Sequence, residues 1–130
     1  MCEDADIPAA VAAGIRGRFH NAGQVCLAAK RFILLEKIAD EFERCFTEAA
    51  AAIRVGDPFD KTTEMGPMAR VDLRDELHKQ VEASIAKGAH VLCGGEPCGG
   101  KGAFYKPTVL SGVTQAWRLS TKRHSGPSLR

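Results

Sequence analysis

Ile38, Phe42, Phe46, Ala49 and Ile53 recur at the spacing of one helix face, and they follow directly on Arg31–Leu35, a short apolar run rich in β-formers. A hydrophobic pattern that changes period within a few residues reads as a strand feeding an amphipathic helix. Gly56-Asp57-Pro58 stops that helix, and Lys61 to Pro67 reads as an irregular surface loop rich in turn residues. A further helix follows, with Leu73, Leu77, Val81 and Ile85 in one stripe and Gly88 where a C-terminal cap belongs. Ala89 to Cys93 then reads as a buried strand and Gly94 to Gly102 as a glycine-rich turn. Phe104 to Leu110 reads as another strand, which Pro107 places at a sheet edge. Ahead of all these, Asp6 can cap a helix whose second position is Pro8; Val11, Ile15 and Phe19 share one face of it, and it runs into a loop around Gly23. Strand, helix, helix, strand with short connections predicts an α/β fold: helices packed on a small, mostly parallel sheet with at least one parallel crossover. Two or three strands make a thin sheet, fewer than a doubly wound domain normally uses to cover two helical layers.

A length of 130 residues fits one domain, and 45% hydrophobic with 26% charged residues is the composition of an ordinary globular protein. The formal net charge is +2 with acids and bases interleaved, which leaves no electrostatic footprint for nucleic acid or a membrane surface. No apolar run approaches the roughly 20 residues of a spanning helix. Met1-Cys2-Glu3-Asp4 is acidic where a secretory signal is basic, so a cytoplasmic protein is expected. Five cysteines at irregular spacing, Cys2, Cys26, Cys45, Cys93 and Cys98, form neither a disulfide framework nor a paired zinc motif. The histidines His20, His78, His90 and His124 stand apart, and no metal is expected.

Among the cysteines, Cys26 has the setting a nucleophile needs. A Gly-Gln turn beyond a helix can hold a thiol rigidly and leave backbone N–H groups aimed at a ligand. The bland alternative, a small buried apolar residue at a helix–strand junction, is the favoured reading of Cys26 from composition alone, and only a surrounding signature reverses it. That bland reading suits Cys45, beside Phe46 on a helix face, and also Cys93 and Cys98, which frame Gly94-Gly95 at a strand end and turn. Gly94-Gly95 and Gly99-Gly100 do not form a phosphate-binding glycine fingerprint between strand and helix. Arg70, Arg74 and Lys79 alternate with Asp72, Asp75 and Glu76 and read as a solvated helix face.

The stretch Phe19-His20-Asn21-Ala22-Gly23-Gln24-Val25-Cys26 resembles the F-x-N-x-G-Q-x-C signature of the aldehyde dehydrogenase superfamily. Gly56-Asp57-Pro58, Gly66-Pro67-Met68, Gly88-Ala89, Gly94-Gly95 and Lys106-Pro107-Thr108-Val109-Leu110 match, in the same order, landmarks of that family's catalytic domain. Gly66 to Leu77 is most similar to bacterial succinate-semialdehyde dehydrogenases. The resemblance implies a partial catalytic domain over residues 1–114 and an oxidation of aldehyde to carboxylic acid. In it the Cys26 thiolate attacks the carbonyl, the thiohemiacetal passes hydride to NAD or NADP, and water hydrolyses the thioester. It further implies that the Cys26 N–H helps hold the oxyanion, that Gly23 permits close backbone approach, and that Asn21 and Gln24 shape the loop by side-chain hydrogen bonds. Full-length members of the family are homo-oligomers.

The family places a dinucleotide-binding domain, ending in an E-L-G-G segment that supplies the general base, ahead of this region. Neither is in these 130 residues, so the chain is expected to be inactive by itself and to bind no cofactor alone. Residues 115–130 depart from the family. Back-translated and read one base out of frame, they encode P-G-M-A-A-F-D-E-E-T-F-G-P-V-A-A, which resembles the family's continuation, so this tail is read as divergent, frame-shifted and poorly packed. Two other classes compete with the enzyme reading: a non-catalytic remnant or assembly module without turnover, and a small redox-active thiol protein, for which no resolving cysteine stands near Cys26.

Overall fold

The computed structural model describes residues 1–29 and 32–113, with the backbone of residues 128 and 129. Three helices carry most of it: α1 (Ile7–Phe19), α2 (Glu36–Ala51) and α3 (Val71–Ile85). Helix α1 begins as its sequence dictates. The Asp6 side chain accepts the Ala9 N–H at 2.9 Å, and proline occupies the first turn, where no donor is needed.

Helix α2 buries Ile38, Phe42, Phe46 and Ala50, so its stripe is the expected one with Ala50 at its centre and Ala49 at its margin. The rings of Phe42 and Phe46 lie 5.4 Å apart and are joined by Phe32 at 5.8 and 5.3 Å and by Phe19 of α1 at 6.1 Å, all in the tilted arrangements that aromatic quadrupoles favour. Helix α1 reaches this cluster because Gly14 faces it: a Cβ there would stand 2.9 Å from a ring carbon of Phe46 and 3.0 Å from one of Phe32.

Helix α3 buries Leu77 and Val81 as expected, but the last inward position falls to Ser84, and Ile85 stays 41% exposed. Ser84 can sit inside because its hydroxyl donates to Gln80 O at 2.8 Å. The chain turns out of α3 with Gly88 at φ +101°, and Ala89 N–H donates back to Ser84 O at 3.0 Å.

The strands β1 (His90–Cys93), β2 (Thr108–Ser111) and β3 (Ser128–Leu129) form one sheet in that order. The α/β class holds, but the expected mostly parallel pairing needs correction: β1 and β2 are antiparallel, and β2 and β3 are parallel. The connection 94–107 explains the difference. It contains no helix and folds back as a ribbon, with a Pro97–Tyr105 bridge and Cys98 N–H donating to Phe104 O, whereas a parallel neighbour needs a crossover. At its root a Cβ on Gly94, whose φ is +69°, would lie 2.1 Å from the Pro107 carbonyl oxygen, so no other residue fits there without moving the ribbon.

Two strand expectations reverse. The sequence predicts β1 as buried, yet among the described residues it is the edge of the sheet, with Val91 40% and Leu92 37% exposed. Pro107 predicts an edge position for β2, yet β2 is central and buried; the proline stands just before the first paired residue, where a missing N–H costs no ladder bond. The third strand expected, Arg31–Leu35, pairs with no strand among the described residues, and Arg31 itself lies outside them. Phe32 and Leu34 pack against the core while Ile33 and Leu35 are 79% and 48% exposed, which is a strand's alternation without a strand's neighbour. Met1 stands beside it, donating to Ile33 O at 2.6 Å and accepting from Leu35 N–H at 3.4 Å. The tail from Gln115 onward, expected to pack poorly, lies outside the described residues apart from the backbone of β3.

Tyr105 ties the β1–β2 ribbon to α3: its ring is 1% exposed and its hydroxyl lies 3.1 Å from His78 Nδ1. Burial, reinforced by Glu82 and Glu96, pushes the phenol well above its ordinary range. A folded-state value above the unfolded one means that the folded chain holds this proton more tightly. The contribution is therefore complete below about pH 10, the unfolded phenol value, and is lost as pH rises beyond it. Urea midpoints of the Tyr105→Phe variant should fall less steeply than the parent's above about pH 10. At pH 7 the variant should be weaker by about 1 kcal/mol for the lost hydrogen bond. Parallel slopes in the alkaline range would show that the phenol does not govern that limb.

Candidate active site

Helix α1 delivers the chain into the bend that carries the signature. Phe19 is buried in the aromatic cluster, and residues His20–Gly23 form a tight turn in which Asn21 (φ +50°), Ala22 (φ +52°) and Gly23 (φ +74°) are all left-handed. Asparagine and glycine tolerate that region; Ala22 does not favour it and is held there by packing, being 1% exposed. Gln24 N–H donates to Asn21 O at 3.0 Å and closes the turn. A second turn follows at once, Ala28 N–H donating to Val25 O at 3.1 Å, with Cys26 and Leu27 as its two central residues. Ala29 N–H then donates to Gly17 O at 2.8 Å, which pins the far end of the bend back onto α1.

The four residues singled out in the sequence thus share one short structure. Cys26 is an exposed free thiol, whereas Gly23 is buried and Asn21 lies at the surface. A small electrophile can reach the sulfur, which the buried alternative would not allow. Among the described residues the Cys26 sulfur and the N–H groups of Cys26 and Leu27 make no hydrogen bond. Side-chain bonds brace the turn: Asn21 Nδ2 lies 3.5 Å from Gln24 O, and Gln24 Nε2 lies 3.4 Å from Asn21 O. The stronger brace is one the sequence does not reveal. Gln24 Oε1 accepts the Ala69 N–H at 3.0 Å, joining the bend to the segment just ahead of α3. Arg18, directly before the signature, is also buried and partnered, at 3% exposure. Its neighbour Phe19 marks the inward face of the helix, but a charged residue beside it carries no such signal.

The sequence profile of the Aldehyde dehydrogenase family matches residues 1–129. This chain belongs to the aldehyde dehydrogenase family. It is 52% identical over 127 residues, 98% of its length, to an NAD(P)+ succinate semialdehyde dehydrogenase of Escherichia coli (strain K12). It is 45% identical over 123 residues to an NADP(+) succinate-semialdehyde dehydrogenase of Mycobacterium tuberculosis (strain H37Rv). Among solved structures, 3,6-anhydro-L-galactose dehydrogenase in complex with NAP superposes with a TM-score of 0.93 at 38% identity, over 98% of this chain and 28% of that one. Succinate-semialdehyde dehydrogenase from Burkholderia pseudomallei superposes with a TM-score of 0.93 at 28% identity, over 99% of this chain and 27% of that one. The chain spans a little over a quarter of the length of the relatives it matches. Its fold is accordingly part of an aldehyde dehydrogenase, with the α/β character expected and the similarity to succinate-semialdehyde dehydrogenases that Gly66 to Leu77 suggested.

Of the other thiols in this dehydrogenase-family chain, Cys2 is exposed as Cys26 is but stands outside the signature bend, and the remaining three are more enclosed. Cys45 packs against the core. Cys93 and Cys98 line a cavity of about 350 Å³ together with Ala51, Ile53, Val55 and Lys106. Burial pushes both thiols above their ordinary range, so less thiolate is present at neutral pH; at Cys98 the Lys106 ammonium offsets part of that. Among the described residues no three metal-ligating side chains converge, and no helix is long and apolar enough to cross a membrane. Gly94-Gly95 and Gly99-Gly100 lie in the ribbon between two strands, not between a strand and a helix N-terminus, so these glycines do not form a phosphate-binding turn of the dinucleotide-fold kind.

Proposed function

We propose that this chain is the thiol-bearing part of the catalytic domain of an NAD(P)-dependent aldehyde dehydrogenase acting on succinate semialdehyde, with Cys26 as its nucleophile. The supporting observation is an exposed thiol at the centre of a braced turn within the family's signature. The Cys26 sulfur forms a bond to the aldehyde carbon, and the carbonyl oxygen, gaining the electron pair, is met by the Cys26 N–H and then takes a proton. Gly23 lets the backbone approach closely, and Asn21 and Gln24 hold the bend's shape. A bound NAD(P)+ would supply the acceptor for the hydride of the attached carbon; with the hydroxyl proton also lost, a thioester would remain for water to hydrolyse to the acid.

The 130-residue polypeptide by itself therefore keeps nucleophilicity without turnover, since an oriented hydride acceptor and a general base are both required. Incubated with NADP+ or NAD+ and succinate semialdehyde, it should give no steady production of reduced nucleotide, while Cys26 is labelled by small electrophiles. Sustained turnover by the chain alone would overturn this reading. In the same proposal the protein is cytoplasmic, works in a homo-oligomer as full-length family members do, and carries in residues 115–130 a frame-shifted tail. The coding DNA decides the last point: a one-base insertion after the Thr114 codon should restore the family's glutamate-bearing segment.

The exposed apolar side chains of Leu27, Ile33 and Leu35 favour a second reading, a non-catalytic module that associates with a full-length subunit. Size-exclusion chromatography separates the two. A folded, stable monomer supports the module, whereas aggregation or rapid proteolysis supports a part of an enzyme whose uncovered surfaces need the rest.

A further inference from the structure

We propose that Gln24 is a positioning residue for the nucleophile: its carboxamide fastens the thiol bend to the segment ahead of α3 and so holds the Cys26 and Leu27 N–H groups in place for an oxyanion. The inference rests on the reading of Cys26 as a nucleophile and adds to it a structural dependence on a segment distant in sequence.

One side chain joins the bend to a distant stretch of backbone. Gln24 Oε1 accepts from Ala69 N–H at 3.0 Å, across 45 positions of sequence, while Nε2 points back to Asn21 O at 3.4 Å. The partner is itself firmly held: Met68 N–H donates to Ala103 O at 2.9 Å, and Arg70 O accepts the Arg74 N–H at 3.2 Å in the first turn of α3. The bend therefore has two anchors, Ala29 on α1 after the thiol and Gln24 on residue 69 before it. Between them lie the exposed residues Cys26 and Leu27. Upstream, the left-handed backbone at Asn21 and Ala22 is a conformation that persists only where surrounding contacts over-determine it. Without the Gln24 anchor the upstream end can relax, and the donors of the turn lose their fixed direction.

Two thiol reactions separate positioning from mere integrity. In acylation by p-nitrophenyl acetate, the Cys26 thiolate sulfur bonds to the ester carbonyl carbon and p-nitrophenolate leaves; the intermediate oxyanion needs oriented donors. Alkylation by iodoacetamide displaces iodide at a saturated carbon and forms no oxyanion. For Gln24→Met, site-resolved mass spectrometry on the full 130-residue chain should show Cys26 acylation slowed about tenfold. Alkylation of the same sulfur should stay within about twofold, since it depends on thiolate fraction and access. Unchanged rates in both reactions, or an equal loss in both, would overturn the proposal. An absence of acylation at Cys26 in the parent chain would remove the nucleophile reading itself, and this inference with it. If Gln24→Met does not fold, Ala69→Pro deletes the same hydrogen bond from the donor side and should give the same split; equal effects on both reactions there refute it.

Discussion

Cys26→Ala is expected to abolish acyl capture from an activated ester at the signature bend, a loss on the order of 100-fold or more in the rate of thioester formation. The same variant should melt within about 2 °C of the parent. The two halves of the result have separate causes. The thiol is exposed and makes no hydrogen bond among the described residues, so its removal creates no cavity and no orphaned partner. The backbone at Cys26 is not left-handed, so alanine fits without strain. Cys98 and Cys93 serve as internal references, because burial pushes both thiols above their ordinary range and their slower labelling should not change. Mass spectrometry of peptides after a timed exposure checks all three sites together. Undiminished acylation of the variant would show that another sulfur carries the reactivity and would end the assignment of Cys26.

Phe46→Ala has the largest expected effect on stability, about 3–5 kcal/mol, which is the usual cost of emptying a buried phenylalanine site. Phe46 is 0% exposed, and its ring contacts Phe19, Phe32 and Phe42, so three further rings lose a face at once. Domains of this size are stable by only about 5–15 kcal/mol in total, so the variant should be largely unfolded under mild denaturant. Phe46→Leu, which keeps most of the volume, should cost roughly 1.5 kcal/mol or less if the neighbours repack. Urea titrations followed by circular dichroism measure both. A loss below about 1 kcal/mol for the alanine variant would mean that the aromatic cluster collapses onto the vacancy and does not organise the core. The cluster also matters for the site, because Phe19 is the last residue of α1 before the bend.

The helices were legible because their signals are local. Asp6 and Pro8 mark the start of α1, and Ile38, Phe42 and Phe46 mark the buried face of α2; these depend on spacing alone, and the structure keeps them. The thiol bend was legible for a different reason. Phe19 to Cys26 matches a signature whose residue types suit tight turns, and Asn21, Gly23, Gln24 and Cys26 do fall within one continuous bend. The strands were not legible to the same depth. An apolar run such as Ala89 to Cys93 reports a preference for extended backbone, but not what covers it, and β1 turned out exposed. Pro107 reports a missing donor, but a position just before the first ladder bond makes that loss harmless, and β2 became the sheet's centre.

By itself the sequence determined where the helices lie and most of the faces they bury, because helical period and capping are decided within a few residues, while the thiol bend was marked by its match to a family signature. Only the tertiary structure decided the antiparallel pairing of β1 with β2, the inward place of Ser84 and the bond from Gln24 to Ala69. Each of those depends on which distant segments meet, and a hydrogen bond across 45 residues leaves no periodic trace in the chain that makes it.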